Sequence, residues 1–332
     1  MIDSSKALGL AMGTASALIG GGWQVATRAA TTGSHLSHIA PADLVVLRYG
    51  IPALLLAPVL WRVGLVPALP AGLSRWRLVW LWLGAGLPFG LVAMAGSRHA
   101  PAAHMGVLMA GATPLFATAL AFLVWRERPG RVRGLGLVLM TGAVALLGGP
   151  SLIDGLAGGH ATASGPASET WRGDGLFLLA ACLWAVYTLA FRRVGLGAWQ
   201  AAACVNAWSA IAVLAWVLLR GGTGLGAVPG ADLAWHALWQ GLLGGVLGLW
   251  TFSVAIERLG AAPAAAFGAL APVVSAIGGW LWLGDVLSLL DAVAVIVAVA
   301  GVALASGAFV GSRPAGGPIA ARDRQAAAAD NG

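Results

Sequence analysis

Few side chains in this sequence can do chemistry, and one of them stands alone. Arg48 lies inside the long apolar run "DLVVLRYGIPALLLAPVLWRVG", which starts at Asp43. An arginine buried in an apolar medium costs at least ~2.5 kcal/mol and usually faces a cavity or a partner. Its guanidinium offers a planar fork of donors that matches a carboxylate or helix carbonyls. The plainer reading is that the side chain snorkels to the outer headgroups, with about 9 Å to cover at ~1.5 Å per residue. Asp43 is the nearest acid in sequence, and five residues put it on another face more than a turn away.

Around Arg48 the sequence supplies aromatic and mildly polar groups. Trp23, Gln24 and Thr27 close one apolar run, Trp184, Tyr187 and Thr188 close another, and Tyr49 follows Arg48 directly. Trp and Tyr combine a broad apolar face with one donor, which suits a cavity for a small solute; an aromatic belt at the membrane interface is the alternative. Thr113, Asn206, Ser209 and Ser275, with Thr251 and Ser253, are polar positions within apolar runs. Each either faces a pathway or bonds to a neighbouring helix. Pro114 and Pro272 each free a carbonyl one turn earlier and can serve as hinges. Glu127, amid Arg126, Arg128, Arg131 and Arg133, and Asp285 both end apolar runs and read as ion pairs at the membrane edge.

Six histidines, His35, His38, His99, His104, His160 and His236, fall on one side of the topology given below. The His35-x2-His38 pair with His99 and His104 could form a metal or pH site, but neutral histidine is also tolerated where Lys and Arg are excluded. No metal site, cofactor or catalytic residue is assigned. A G-x4-G-K-[ST] phosphate loop is impossible because Lys6 is the only lysine, which excludes ATP-driven pumping by this chain alone. A membrane-embedded enzyme would need a nucleophile and base at one depth. A non-transporting scaffold is the other alternative.

The elements that hold these residues follow from composition. Apolar residues make up 59% of the chain and charged ones 9%, against about 25% charged in a soluble domain. So few charges cannot cover a water-exposed surface. The net charge of +7 comes from arginines set singly at the ends of apolar runs, a topology signal rather than a nucleic-acid footprint. Cys182 and Cys204 lie within such runs and read as small packing residues.

Ten spans are expected, at 7–29, 43–64, 76–97, 101–125, 132–150, 174–194, 199–219, 235–256, 261–284 and 288–310. A backbone in lipid must satisfy its own hydrogen bonds, so runs this rich in Leu, Ala and Val are helices, not barrel strands. With the N-terminus cytoplasmic, 14 of the 19 Lys and Arg residues fall on that side. Both termini are therefore expected in the cytoplasm of a multi-pass protein, in a bacterial inner (plasma) membrane. A Gly/Ser/Thr-rich linker at 151–172 divides a first unit, 7–150, from a second, 173–311, and the polar tail 312–332 reads as disordered.

The two units repeat one another. Pro114 and Pro272 stand 158 positions apart, as do Glu127 and Asp285, Gly86 and Gly244, and Gly90 and Gly248. "LIGGGWQVAT", ending at Thr27, echoes "LAACLWAVYT", ending at Thr188, so that Trp23 corresponds to Trp184. Composition alone explains matching leucines but poorly explains Trp, Pro and an acidic stop in the same order. Five spans reverse direction, so the second copy must be upside down relative to the first. The expected fold is thus an all-α polytopic membrane protein of ten transmembrane helices in two inverted five-helix repeats, the plan of many secondary transporters with a midplane site between the halves.

At these residues the chain resembles the drug/metabolite transporter superfamily in its EamA-type branch. The resemblance rests on the tryptophan of each half's first span, Arg48-Tyr49, and the Pro114…Glu127 and Pro272…Asp285 pairs. Each pair precedes a glycine-rich span ending "GAVALLGG" or "GVALASG". It covers about residues 7–310. Asp285 departs from the glutamate more usual there, and Asn206 and Ser209 stand where an arginine would oppose Arg48. The resemblance implies a ten-helix carrier of amino acids, metabolites or drugs, exporter or exchanger. Its partners would be a small-molecule substrate and the lipid bilayer, not nucleic acid, and the chain would act as a monomer or a homodimer.

Overall fold

The computed structural model describes residues 4–67, 69, 75–156, 169–259 and 267–306, and no strand occurs among them. Helix α1 is Ser4–Thr32. Helix α2 runs Pro41–Leu55 and, after a 62° bend, Ala57–Val63. Pro58 explains the bend, since it supplies no N–H to the preceding turn and its ring crowds the carbonyl there. Helix α3, Trp76–Gly96, breaks at Gly86, which is extended at ψ −153° just before Leu87-Pro88.

Helix α4 is Ala102–Trp125 and continues through Pro114. It is followed by α5 (Arg131–Leu156), α6 (Thr170–Val194) and α7 (Ala198–Arg220). Helix α8 comprises Gly230–His236, Ala237–Leu247 and Gly248–Leu259 in succession, the middle stretch being π-helical. Helix α9 is Gly268–Leu283 and α10 is Leu289–Ala305. A reciprocal cap starts α10, with Asp291 N donating to Ser288 Oγ at 3.1 Å and Ser288 N to Asp291 Oδ2 at 2.9 Å.

Among the described residues six helices, α3 to α8, are long and apolar enough to cross a membrane, and α2 is a seventh if its bent halves form one span. Helix α1 is long but carries Ser, Thr, Gln and Gly, while α9 and α10 are shorter apolar helices. The outer surface is apolar: Leu54, Trp61, Leu219 and Ile296 are between 67% and 92% exposed. Water would penalise such a surface and lipid would not.

Two boundaries differ from expectation. The linker foreseen at 151–172 is helical at both ends, because α5 runs on past Pro150 with Leu152 and Ile153 prolonging its apolar face. Residues 157–168 and the tail from 312 lie outside the described residues, as does the start of the span foreseen at 261–284.

Helix α1 packs against α8 and α9, α6 packs against α3 and α4, and α5 pairs with α10. Small residues let the helices approach. A Cβ at Gly84 of α3 would stand 2.4 Å from the backbone nitrogen of Tyr187 in α6. One at Gly245 of α8 would stand 2.3 Å from Pro52 Cγ in α2. These glycines act as contact faces between membrane helices.

The polar residues within spans mostly bond to their own helix. Thr113 Oγ1 donates to Met109 O at 2.7 Å, Asn206 Nδ2 to Ala202 O at 2.8 Å and Ser209 Oγ to Val205 O at 2.7 Å. Thr251, Ser253 and Ser275 do likewise. A carbonyl one turn back is always within reach of such groups, and Thr113 Oγ1 also stands 3.5 Å from Ala181 O of α6. Ser209 reaches another helix as well: its Oγ also accepts Leu87 N at 3.0 Å and so caps the restart of α3 after Gly86.

Candidate functional site

A cavity of about 380 Å³ occupies the centre of the bundle, bounded by side chains from α1 to α4 and α6 to α9. Trp23, Gln24, Arg48, Thr113, Trp184, Tyr187 and Asn206 line it together, having come from five helices. Phe89 and Phe252 complete an aromatic wall, and Phe89, Trp184 and Tyr187 form a chain of rings about 5 Å apart between centroids. The lining extends from Trp23 and Arg48 towards Ser16, Phe252 and Gly268, that is, towards the end of the bundle where α1 begins.

Arg48 is the one charged residue among the described lining residues. It stands in a π-helical turn of α2, Val46–Gly50, and that turn packs against the π-helical stretch of α8. Such wide turns interrupt the regular ladder and recur at functional sites. Among the described residues no carboxylate pairs with Arg48; Asp43 is taken instead by Arg220 at 3.4 Å and by Gly224 N at 3.2 Å. The guanidinium carbon lies 5.8 Å from the Trp23 ring centre and 5.4 Å from that of Tyr49, while the Nε is buried without an acceptor. A cation over a ring is worth ~0.5–2 kcal/mol, which does not exceed the ~2.5 kcal/mol or more that an intramembrane arginine costs. The side chain lines the cavity with its Nε free of an acceptor.

Trp23 is held from behind. Its Nε1 donates to Gln240 Oε1 at 2.6 Å, and Gln240 Nε2 donates to Thr27 Oγ1 at 2.9 Å. Gln240 is fully buried. Sequence reasoning missed it, although a glutamine inside an apolar run signals an amide in need of partners. Gly244 beside it leaves room for the indole, since a Cβ there would stand 2.8 Å from Trp23 Cδ1.

Five of the residues singled out as pathway-lining do not reach the cavity. Thr27 is buried behind Trp23 and donates to its carbonyl. Tyr49 is buried on the far side of α2, its hydroxyl donating to Gly86 O at 2.5 Å. Thr188 bonds back to Trp184 O, Ser209 caps α3, and Ser275 is buried against Gly106 of α4. Each lies on a turn adjacent to a lining residue, but its rotation about the helix axis aims it elsewhere. The two prolines also differ. Pro114 sits within an unbroken α4, whereas Pro272 opens the α-helical part of α9 after a tight 3₁₀ turn at Gly268–Leu270.

Ionic contacts lie at both ends of the bundle. At the Thr32 end Arg28 lies 3.7 Å from Asp285 and also donates to Ser97 O at 2.7 Å, while Asp285 accepts Ala102 N at 3.0 Å. At the opposite end Glu127 lies 3.6 Å from Arg193. This corrects the partners expected from its neighbours in sequence: Arg126 turns back over Phe122, and the carboxylate meets the end of α6 instead. The Arg28 pair is about 15% exposed and the Glu127 pair nearly half exposed.

His104 does not join His35 and His38. Its Nδ1 stands 2.8 Å from Asp174 Oδ1 and its Nε2 3.6 Å from Asp291 Oδ1, with Ser151 Oγ donating to Asp174 Oδ2 at 2.5 Å. Four helices thereby meet at the Thr32 end. No group of three or more His, Cys, Asp or Glu residues suited to a metal ion occurs among the described residues.

Residues 171–307, from α6 to α10, match the EamA-like transporter family. The second half of the chain belongs to that family. With the apolar helices, that match supports a multi-helical membrane protein, and residues 1–170 lie outside the matched stretch. No curated protein matches the chain. A solved structure, described only as the crystal structure of a protein, aligns with 94% of this chain and the whole of its own. The TM-score is 0.55 at 20% identity, a likeness of fold alone.

Proposed function

We propose that this EamA-family chain is a secondary transporter that exports or exchanges small organic solutes by alternating access between two inverted five-helix repeats. The central cavity carries the proposal. It is enclosed by helices of both halves, is of ligand size, and combines aromatic walls with a single fixed charge.

The packing supports the inverted plan. Exchange α1 to α5 for α6 to α10 and the neighbours are the same: α1 with α8 and α9 becomes α6 with α3 and α4, and α5 with α10 is unchanged. The ion pairs follow the same rule. Asp285 after α9 meets Arg28 of α1, and Glu127 after α4 meets Arg193 of α6, at opposite ends. Paired latches of this kind fit a protein whose two ends open in turn. The more buried latch is at the Thr32 end, and the cavity extends towards the other, as in a conformer closed on the Thr32 side. The arginine distribution supports an outer position for that side.

An enzymatic reading finds no carrier in the cavity, whose described lining holds neither histidine nor carboxylate. Reconstitution into proteoliposomes tests the proposal. Uptake or release of labelled amino acids and organic acids should require the protein and saturate with concentration; a panel that stays at the rate of empty vesicles overturns it.

A further inference from the structure

The charge balance of the cavity identifies a class of cargo. We infer that the cavity binds a small organic monoanion, a carboxylate on an aromatic or branched apolar body, with the carboxylate on Arg48. This rests on reading the cavity as the solute site and goes further by naming what it accepts.

Three observations converge. First, Arg48 is the lone charge among the described lining residues, its Nε is buried without an acceptor, and its guanidinium lies over two aromatic faces. In a low-dielectric cavity an unbalanced cation favours an incoming anion strongly. Second, the described lining holds no carboxylate to neutralise a positive charge, and its aromatic faces attract a cation far more weakly than an ion pair would. Gln24 Oε1 and Asn206 Oδ1, both buried without a donor, can accept an N–H or O–H but do not neutralise an ammonium. A zwitterion would thus leave one charge unmatched. A dianion such as a phosphate would exceed the single cation. Third, Trp23, Phe89, Trp184, Tyr187 and Phe252 offer apolar faces for the rest of the molecule.

The arrangement also explains the two unusual helix turns. The π-helical turn at Val46–Gly50 aims Arg48 at the cavity. The π-helical stretch of α8 brings Gly245 against Pro52, where a Cβ would also stand 3.3 Å from Arg48 Nη1. A larger residue at 245 would fill the approach to the guanidinium.

Binding to the purified protein tests the inference independently of transport. Four probes of similar size separate the charge types: phenylacetate, phenylacetamide, phenethylamine and phenylalanine. Binding is read by quenching of tryptophan fluorescence in phosphatidylcholine nanodiscs, which supply no anionic lipid to compete. Phenylacetate should bind about ten- to a hundredfold more tightly than the amide, amine or amino acid, the range of one charge-assisted contact. Arg48→Gln should remove that preference, and Arg48→Lys should keep part of it.

If the amide or the amine binds as well as the acid, or if none of the four binds, the inference is overturned. The wild-type panel decides this even if Arg48→Gln fails to fold. Phenylacetate binding that depends on Arg48, without flux in proteoliposomes, would remove the transport reading and leave the anion site. Saturable flux of a solute whose rate is unchanged in Arg48→Gln would do the reverse.

Discussion

Replacing Gln240 by leucine tests whether that amide holds the Trp23 indole against the cavity. The two bonds, 2.6 Å from Trp23 Nε1 and 2.9 Å to Thr27 Oγ1, are both buried. Leucine fills a similar volume and keeps neither bond. Thr27 retains its own bond to Trp23 O, so the substitution orphans one group, the indole N–H. A neutral bond contributes ~0.5–1.5 kcal/mol and an orphaned buried donor costs ~1–3 kcal/mol. Gln240→Leu should therefore destabilise the protein by about 2–3 kcal/mol. Trp23→Phe removes the donor itself, so in that background the same change should cost only about 1 kcal/mol. The difference is a coupling energy of about 1–2 kcal/mol, measurable in a double-mutant cycle. Unfolding in mixed micelles as the SDS fraction rises, followed by far-UV circular dichroism, supplies the four stabilities. An equal cost of Gln240→Leu in both backgrounds would refute the role given to the indole–amide bond.

Three further outcomes follow from particular contacts. Gly84→Ala should cut the yield of monodisperse protein, since its Cβ would meet the Tyr187 backbone at 2.4 Å; Gly134→Ala, with nothing within 4 Å, should be neutral or slightly stabilising. Arg28→Ala should loosen the Thr32 end and increase labelling of a cysteine placed at Ala17 by impermeant reagents from that side; Glu127→Ala, at the exposed pair, should cost under about 1 kcal/mol, and no labelling change with Arg28→Ala would sink the latch. In a background lacking Cys182 and Cys204, Gly165→Cys should be labelled from outside the cell and Ala320→Cys should not, and equal labelling of both would refute the orientation.

Much of the fold is legible without coordinates because it depends on composition and order along the chain. Long apolar runs must be helices in lipid, and charges that cluster at their ends mark where they stop. Arg48 could be singled out because a charge in such a run is costly wherever it points. The expected repeat rests on the kept spacing of Pro114, Glu127, Pro272 and Asp285. The break of α3 at Gly86 and the wide turns of α2 and α8 were not legible, since they arise where one helix accommodates another.

What the sequence by itself determined is therefore the helical, apolar character of the elements and the residue types available to a site. Only the tertiary structure decided which faces meet. In a soluble helix the polar stripe reveals the outward face, but here lipid-facing and core-facing surfaces are both apolar, and each residue turns the face by ~100° without leaving a trace in the pattern. That is why Tyr49 and Ser275 were placed in the pathway and are buried behind it. It is also why Gln240, 217 positions from Trp23, went unnoticed. Glu127 met Arg193 rather than its neighbours, and His104 met Asp174 and Asp291, for the same reason: partners across a bundle are chosen by helix rotation and packing, and neither is written in local sequence.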